Sequence, residues 1–156
     1  MIWKFLITDK ESELAYAFDW YSSLPGFLKS FVDPYTAKDQ ELFIKDLLKG
    51  INFAAYEDNK LKAIVNASLV LNETNKVEGH LFCSKDSSID FLSSAVSYAR
   101  EQCLKQFEIV VCHVLRRHKL LQIIMNRAGF LDSGLRGWQN IYKGNGLEVM
   151  YYYTLK

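Results

Sequence analysis

At 156 residues the chain has room for a sizeable core, and its 49% hydrophobic against 24% charged residues speaks against disorder and against a membrane protein. A formal net charge of +1 argues against a strongly electrostatic nucleic-acid binder. Aromatic residues reach 14%, so many rings need cover.

The short apolar run from Ile2 to Ile7 is expected to be a strand. Lys4, Asp9 and Lys10 around it, and the lack of a small-residue cleavage site, set it apart from a membrane span or a signal peptide. From Glu11 to Ser23 the positions Leu14, Ala17, Phe18 and Tyr21 recur at helical spacing. Ser22 to Thr36 is the one candidate for a long irregular connection, with turn signals at Leu24-Pro25-Gly26 and Asp33-Pro34. A second helix is expected from about Ala37 to Lys49, with Gly50 at its end suited to a left-handed cap.

Three strands follow. Ile51 to Glu57 and Leu61 to Leu71 flank the turn residues Asp58-Asn59-Lys60, and Asn72 to Asn75 leads into Val77 to Cys83. Phe91, Leu92, Ala95, Val96 and Ala99 form an amphipathic stripe over Ile89 to Gln102. Phe107 to Val114 is a nearly unbroken apolar run, as expected of a strand covered on both faces. Leu120, Leu121, Ile124, Met125 and Ala128 give a last helix, stopped by Gly129. Strands from Leu131 to Tyr142 and Leu147 to Leu155 are joined by Lys143-Gly144-Asn145-Gly146, residues suited to a hairpin turn.

The order is therefore β-α-α-β-β-β-α-β-α-β-β. A three-strand meander followed by a strand–helix–strand crossover implies a mixed α/β (α+β) sheet with helices on both faces. One domain over residues 1–156 is expected. Cys83, Cys103 and Cys112 are odd in number and lack metal-like spacing, which reads as buried, reduced thiols in a cytoplasmic protein without a metal.

This order resembles the GNAT acetyltransferase fold over nearly the whole chain. The C-terminal third carries the likeness most clearly: Glu108-Ile109-Val110-Val111, then Asn126-Arg127-Ala128-Gly129-Phe130, Ser133-Gly134-Leu135-Arg136 and Asn145-Gly146-Leu147-Glu148. It is also similar to GNAT-like proteins of tailed bacteriophages. The resemblance implies that the strands from Val77 to Cys83 and from Phe107 to Val114 splay apart. The pantetheine arm of acetyl-CoA would then lie on the backbone near Leu81, Phe82 and Cys83.

The resemblance also implies a glycine-rich turn for the cofactor's diphosphate, yet Cys83-Ser84-Lys85-Asp86-Ser87-Ser88-Ile89-Asp90 contains no glycine. Ser87 with Asp90 reads as a variant capping box, so Ser87 and Ser88 open the helix where phosphates would sit. Asp86 and Asp90 bring two carboxylates there, against Lys85. Counting back from Gly129, an Asn slot near the cofactor falls at or near His118, and a Tyr slot for a general acid holds Met125.

Glu78 and His80 lie two apart on one strand and share a face, and His113 falls about where the splay should open. By analogy with the family, these are the candidate bases for amine acetylation. The plainer readings are solvated residues at a strand start for Glu78 and His80, and a satisfied histidine at a strand end for His113. Arg116-Arg117-His118-Lys119 is the densest basic run and would stand beside the phosphates, either as a clamp or as a solvated helix start. Alternation sends Tyr151 and Tyr153 to one face and Tyr152 to the other, and with Tyr142 these rings close the core, line a cleft or form a dimer surface.

The expected function is acetyl transfer from acetyl-CoA to an amine on a small molecule or protein. The alternative is a non-catalytic GNAT-like protein that binds a protein partner or a second copy of itself. A donor carried on an acyl-carrier protein is a third option, since it lacks the adenosine diphosphate end.

Overall fold

The computed structural model describes residues 1–24, 39–70, 72–142 and 145–156. Its elements are β1 (Trp3–Ile7), α1 (Glu11–Ser22), α2 (Gln40–Leu48), β2 (Ile51–Glu57), β3 (Lys60–Leu69) and β4 (Lys76–Cys83). Then come α3 (Ile89–Cys103), β5 (Ile109–Leu115), α4 (Lys119–Arg127), β6 (Leu131–Tyr142) and β7 (Asn145–Leu155). The expected order of elements holds throughout.

The strands form one mixed sheet in the order β1-β2-β3-β4-β5-β7-β6. Every neighbouring pair is antiparallel except β4 and β5, which are parallel and joined by the α3 crossover. Asp58 and Asn59 both take positive φ, of 49° and 67°, which lets the β2–β3 hairpin close tightly. Gly129 ends α4 at φ 95°, the stop that its position in the sequence suggests.

Alternation along the strands divides the core in two. Phe53, Val65, Val77, Val110, Cys112 and Tyr152 face α3 and α4, where Phe91, Leu92, Val96, Ile124 and Met125 complete the larger cluster. Ala54, Ile64 and Phe82 face α1 and α2, against Leu14, Tyr21, Phe43 and Leu47. Phe43 stacks on Tyr21 at 5.7 Å and meets Phe82 edge-on at 5.4 Å, which ties α2 to both α1 and β4.

Two expectations about the second helix change. It begins at Gln40, capped by Asp39, whose side chain accepts from the Glu41 and Leu42 amides. The expected start near Ala37 lies outside the described residues, as does the proposed irregular connection beyond Leu24. Gly50 is absent from the positive-φ glycines, so it is not a left-handed cap. It is needed for room, because a Cβ there would run into the Ala67 carbonyl on β3.

Candidate functional site

Strands β4 and β5 pair only at Lys76–Ile109, Val77–Val110 and Glu78–Val111. Beyond Glu78, β4 continues to Cys83 and β5 to Leu115, each still paired on its outer side to β3 or β7. The two strands have parted. Their facing backbone edges from Gly79 to Cys83 and from Cys112 to Leu115 share no strand pairing, which is the splay that the family resemblance implied.

A cleft of about 80 Å³ opens there on the α1 side, lined by Tyr21, Leu24, His80, Phe82, His113 and His118 among others. On the opposite face a smaller, mostly apolar cavity of about 30 Å³ lies against α3, with Met125 and Phe130 in its wall. Gly79, His80, Leu81 and Cys112 line both, so the gap between the strands joins the two faces.

Glu78, His80 and His113 gather at the start of this gap. Glu78 Oε1 lies 3.2 Å from His113 Nδ1 and 3.8 Å from His80 Nε2. The His113 nitrogen is within ion-pair reach but off the line of a hydrogen bond, so this buried atom lacks an aligned partner. The three side chains are between 25% and 28% exposed, which places them neither in bulk water nor in the sealed core. Burial pulls the His80 pKa below the usual imidazole value, Glu78 pushes it back up, and His113 pulls it down again.

The same face carries a polar row across the sheet. His80 pairs in register with Asn66 on β3, and Asn66 with Asn52 on β2, while His113 pairs with Tyr151 on β7. The Tyr151 ring meets the His113 ring edge-on at 4.7 Å. Its phenol occupies space that any side chain at Gly137 would fill. As alternation requires, Tyr152 is buried on the other face. Asn52, Asn66, Ser68 and Gly137 escaped the sequence reading; their signals were polar residues inside an apolar strand pattern and a glycine inside a strand.

The turn after β4 differs from expectation in detail. Ser88, not Ser87, caps α3 by accepting from the Phe91 amide at 3.1 Å. Asp90 does not close a capping box, because it is held by Arg127 at 2.7 Å. Ser87 turns to Ser84, with 3.0 Å between the hydroxyls. Asp86 pairs with Lys62 at 2.6 Å, and the hydrogen bonds from Lys62 and Ser84 hold its carboxyl down at about 2. Lys62 on β3, rather than Lys85, is the cation that balances it.

In the basic run, Arg116 is bound to Glu148 on β7 at 2.9 Å, whereas Arg117 is exposed and has no ion-pair partner among the described residues. His118 caps α4, its Nδ1 accepting from the Leu121 amide at 3.3 Å, and burial lowers its pKa. Met125 is 2% exposed and has no proton to give. Burial pushes the Cys83 and Cys103 thiols up to about 11 and, helped by the Glu78 charge, Cys112 up to about 12; none is primed as a nucleophile. Among the described residues there is no cluster of three or more His, Cys, Asp or Glu suited to a metal ion, and no helix is long and apolar enough to cross a membrane.

No protein-family model matches the sequence, and no curated protein matches it. Solved structures do match in shape. An acetyltransferase of the GNAT family from Streptococcus pneumoniae is similar with a TM-score of 0.71 at 16% identity, over 97% of this chain and 99% of that one. A spermidine N-acetyltransferase from Vibrio cholerae, in complex with CoA and spermine, gives 0.76 at 16% identity over 98% and 95%. A ribosomal-protein-S5-alanine acetyltransferase from Vibrio fischeri gives 0.72 at 12% identity over 98% and 92%. These bacterial proteins lend no support to a phage origin. With the strand order, the parted central strands and near-complete coverage in both directions, the chain has the GNAT fold.

Proposed function

We propose that the protein transfers an acetyl group from acetyl-CoA to an amine, with the base at Glu78 and His80. The observation that supports this most is the cluster of one carboxylate and two imidazoles where β4 and β5 separate. Acetyl-CoA supplies a thioester whose acyl carbon accepts an amine nitrogen as the C–S bond breaks. The chain must hold that thioester at the gap and remove a proton from an amine that arrives as ammonium.

The residues fit the pantetheine arm well. The backbone of Leu81, Phe82 and Cys83 is unpaired toward β5 and offers amide and carbonyl groups to an amide-bearing chain. They fit the diphosphate less well. Ser87 and Ser88 are engaged with Ser84 and the Phe91 amide, and Arg116 with Glu148, which leaves Arg117 as the uncommitted guanidinium near the cleft's His118. On the acceptor side, Glu78 neutralises the ammonium and His80 takes its proton. Replacing such a base lowers kcat by about 10²- to 10⁴-fold. Met125 leaves the departing thiolate to be protonated by solvent.

The self-satisfied turn and the Arg116–Glu148 pair favour a second reading, a non-catalytic GNAT-like protein that binds a protein partner or a second copy. An acyl-carrier donor would also bypass the turn.

Calorimetry with acetyl-CoA tests the proposal, with thermal melting as a check. At a hundred times the dissociation constant, binding stabilises the fold by about 2.7 kcal/mol. Micromolar binding that weakens in Arg117→Ala but survives Arg116→Ala is the expected result. Absence of heat and of a melting shift at millimolar acetyl-CoA would sink the acetyl-CoA reading and turn attention to partners or another carrier.

A further inference from the structure

The polar row behind His80 sets where that ring keeps its proton. The chain of bonds starts at the Leu47 carbonyl near the end of α2, an atom that can only accept. Asn52 Nδ2 donates to it at 2.7 Å and Asn66 Nδ2 at 3.3 Å. The second hydrogen of Asn66 Nδ2 goes to Asn52 Oδ1 at 2.9 Å. Both amide orientations are thereby fixed: turning either one over would press its oxygen against the Leu47 oxygen. Asn52 is 2% and Asn66 1% exposed, so a mispaired amide there would carry its full desolvation cost.

With its nitrogen committed, Asn66 presents only Oδ1 toward β4. That oxygen accepts from Ser68 Oγ at 2.7 Å and lies 3.4 Å from His80 Nδ1. An acceptor facing Nδ1 requires the hydrogen to be on Nδ1. The lone pair of the neutral ring is then on Nε2, which lies 3.8 Å from Glu78 Oε1, too far for that carboxylate to hold a hydrogen there by a hydrogen bond. A histidine side chain in water favours the opposite arrangement, so the preference is imposed by the sheet.

We propose that Asn66 is a positioning residue that holds His80 in the Nδ1–H tautomer and presents the Nε2 lone pair to the cleft beside the Glu78 carboxylate. Two adjacent acceptors of this kind suit a ligand with at least two N–H hydrogens and a positive charge, a protonated amine. The reverse tautomer would turn an N–H donor toward that ammonium. When the ammonium gives its proton to Nε2, the new N–H faces Glu78 and the imidazolium is held by a carboxylate on one side and Asn66 on the other. The functional half of this inference rests on the acetyl-transfer reading; the tautomer itself does not. The other titratable groups around the cleft are His113, His118, Cys112 and Tyr21, and burial raises the Tyr21 phenol further from titration.

The test is long-range proton–nitrogen correlation NMR on the full chain labelled with ¹⁵N-histidine, above the pH at which His80 titrates. Signals are assigned by their loss in His80→Gln. In the wild type, His80 should show a protonated Nδ1 and a bare Nε2. In Asn66→Ala, with dispersed amide signals proving a folded chain, most of the population should move to the Nε2–H form. A wild-type His80 protonated on Nε2 overturns the proposal, as does an unchanged tautomer in folded Asn66→Ala. If Asn66→Ala fails to fold, the wild-type spectrum still decides. An Nδ1–H ring in a protein that ignores acetyl-CoA would keep this inference and remove the transfer reading; turnover with an Nε2–H ring would do the reverse.

Discussion

Between Glu78, His80 and His113, charge moves in a definite direction. Glu78 stabilises a proton on His80 and a charged His113 opposes it, while burial opposes it most. Glu78→Gln should therefore lower the pH at which His80 titrates, and His113→Gln should raise it. Ring-proton chemical shifts followed against pH give both midpoints; a move of either in the opposite sense would mean that the three groups are not coupled as the distances imply. Glu78 and His80 could be picked out from the sequence because strand alternation needs only local spacing, and His113 because family likeness put the opening of the splay near it. Asn66 could not. Within the run Ala63-Ile64-Val65-Asn66-Ala67 it looks like a polar interruption, and its role appears only when the Leu47 carbonyl arrives from 19 residues away. Lys62 was hidden for the same reason, since Asp86, its partner, is 24 residues further on.

At the level of the element, hydrophobic period located the helices and strands, and their ends were set by hydrogen bonds that period does not record. The start of α3 shows this. Moving the cap from Ser87 to Ser88 leaves the stripe of Phe91, Leu92, Ala95 and Val96 untouched, yet it changes which hydroxyl carries the helix. Ser88→Ala should cost about 1 kcal/mol in denaturant unfolding, as lost N-caps do. Ser87→Ala should cost clearly less, because its hydroxyl satisfies no amide of the helix and bonds only Ser84 and the Lys62 carbonyl, at 3.0 and 3.5 Å. Equal costs, or the reverse order, would return the cap to Ser87. Gly50 carries a related lesson. A glycine at the end of α2 was legible, but its reason was the close approach of β3 rather than a left-handed turn.

For the molecule as a whole, acid should act in two separate windows. His80 and His118 both have folded-state pKa values below the ordinary 6.5, with burial as the main cause. The unfolded chain binds more protons than the folded one in that range, so stability rises with pH. Their contribution is intact above 6.5 and is lost as pH falls through the depressed folded values. Asp86 at about 2 and the lowered Asp132, held by Arg136, keep their contribution until far more acidic solution. Melting temperatures should fall from neutral pH toward 5. A His80→Gln, His118→Asn double variant, which keeps an N-cap on α4, should flatten that slope; an equally steep decline in the variant would place the proton uptake elsewhere. The meander, the crossover and the mixed sheet were legible from the succession of elements, but not that β7 lies between β5 and β6; the parting of β4 and β5 came only from family likeness, since no local pattern announces where pairing between distant strands stops.

That parting gives the sheet an unusual pair of internal borders. Exposed rims of sheets invite other polypeptides to add on, and proteins usually guard them with charges, bulges or short strands. Here the facing rims of β4 and β5 lie between layers of helix, α1 on one side and α3 with α4 on the other. The space left between them is about 80 Å³ on the open side and about 30 Å³ behind. An incoming strand would need room for side chains on both faces, more than those spaces hold. The fold thus keeps unpaired backbone groups of β4 and β5 inside the molecule without offering a neighbouring protein a place to polymerise.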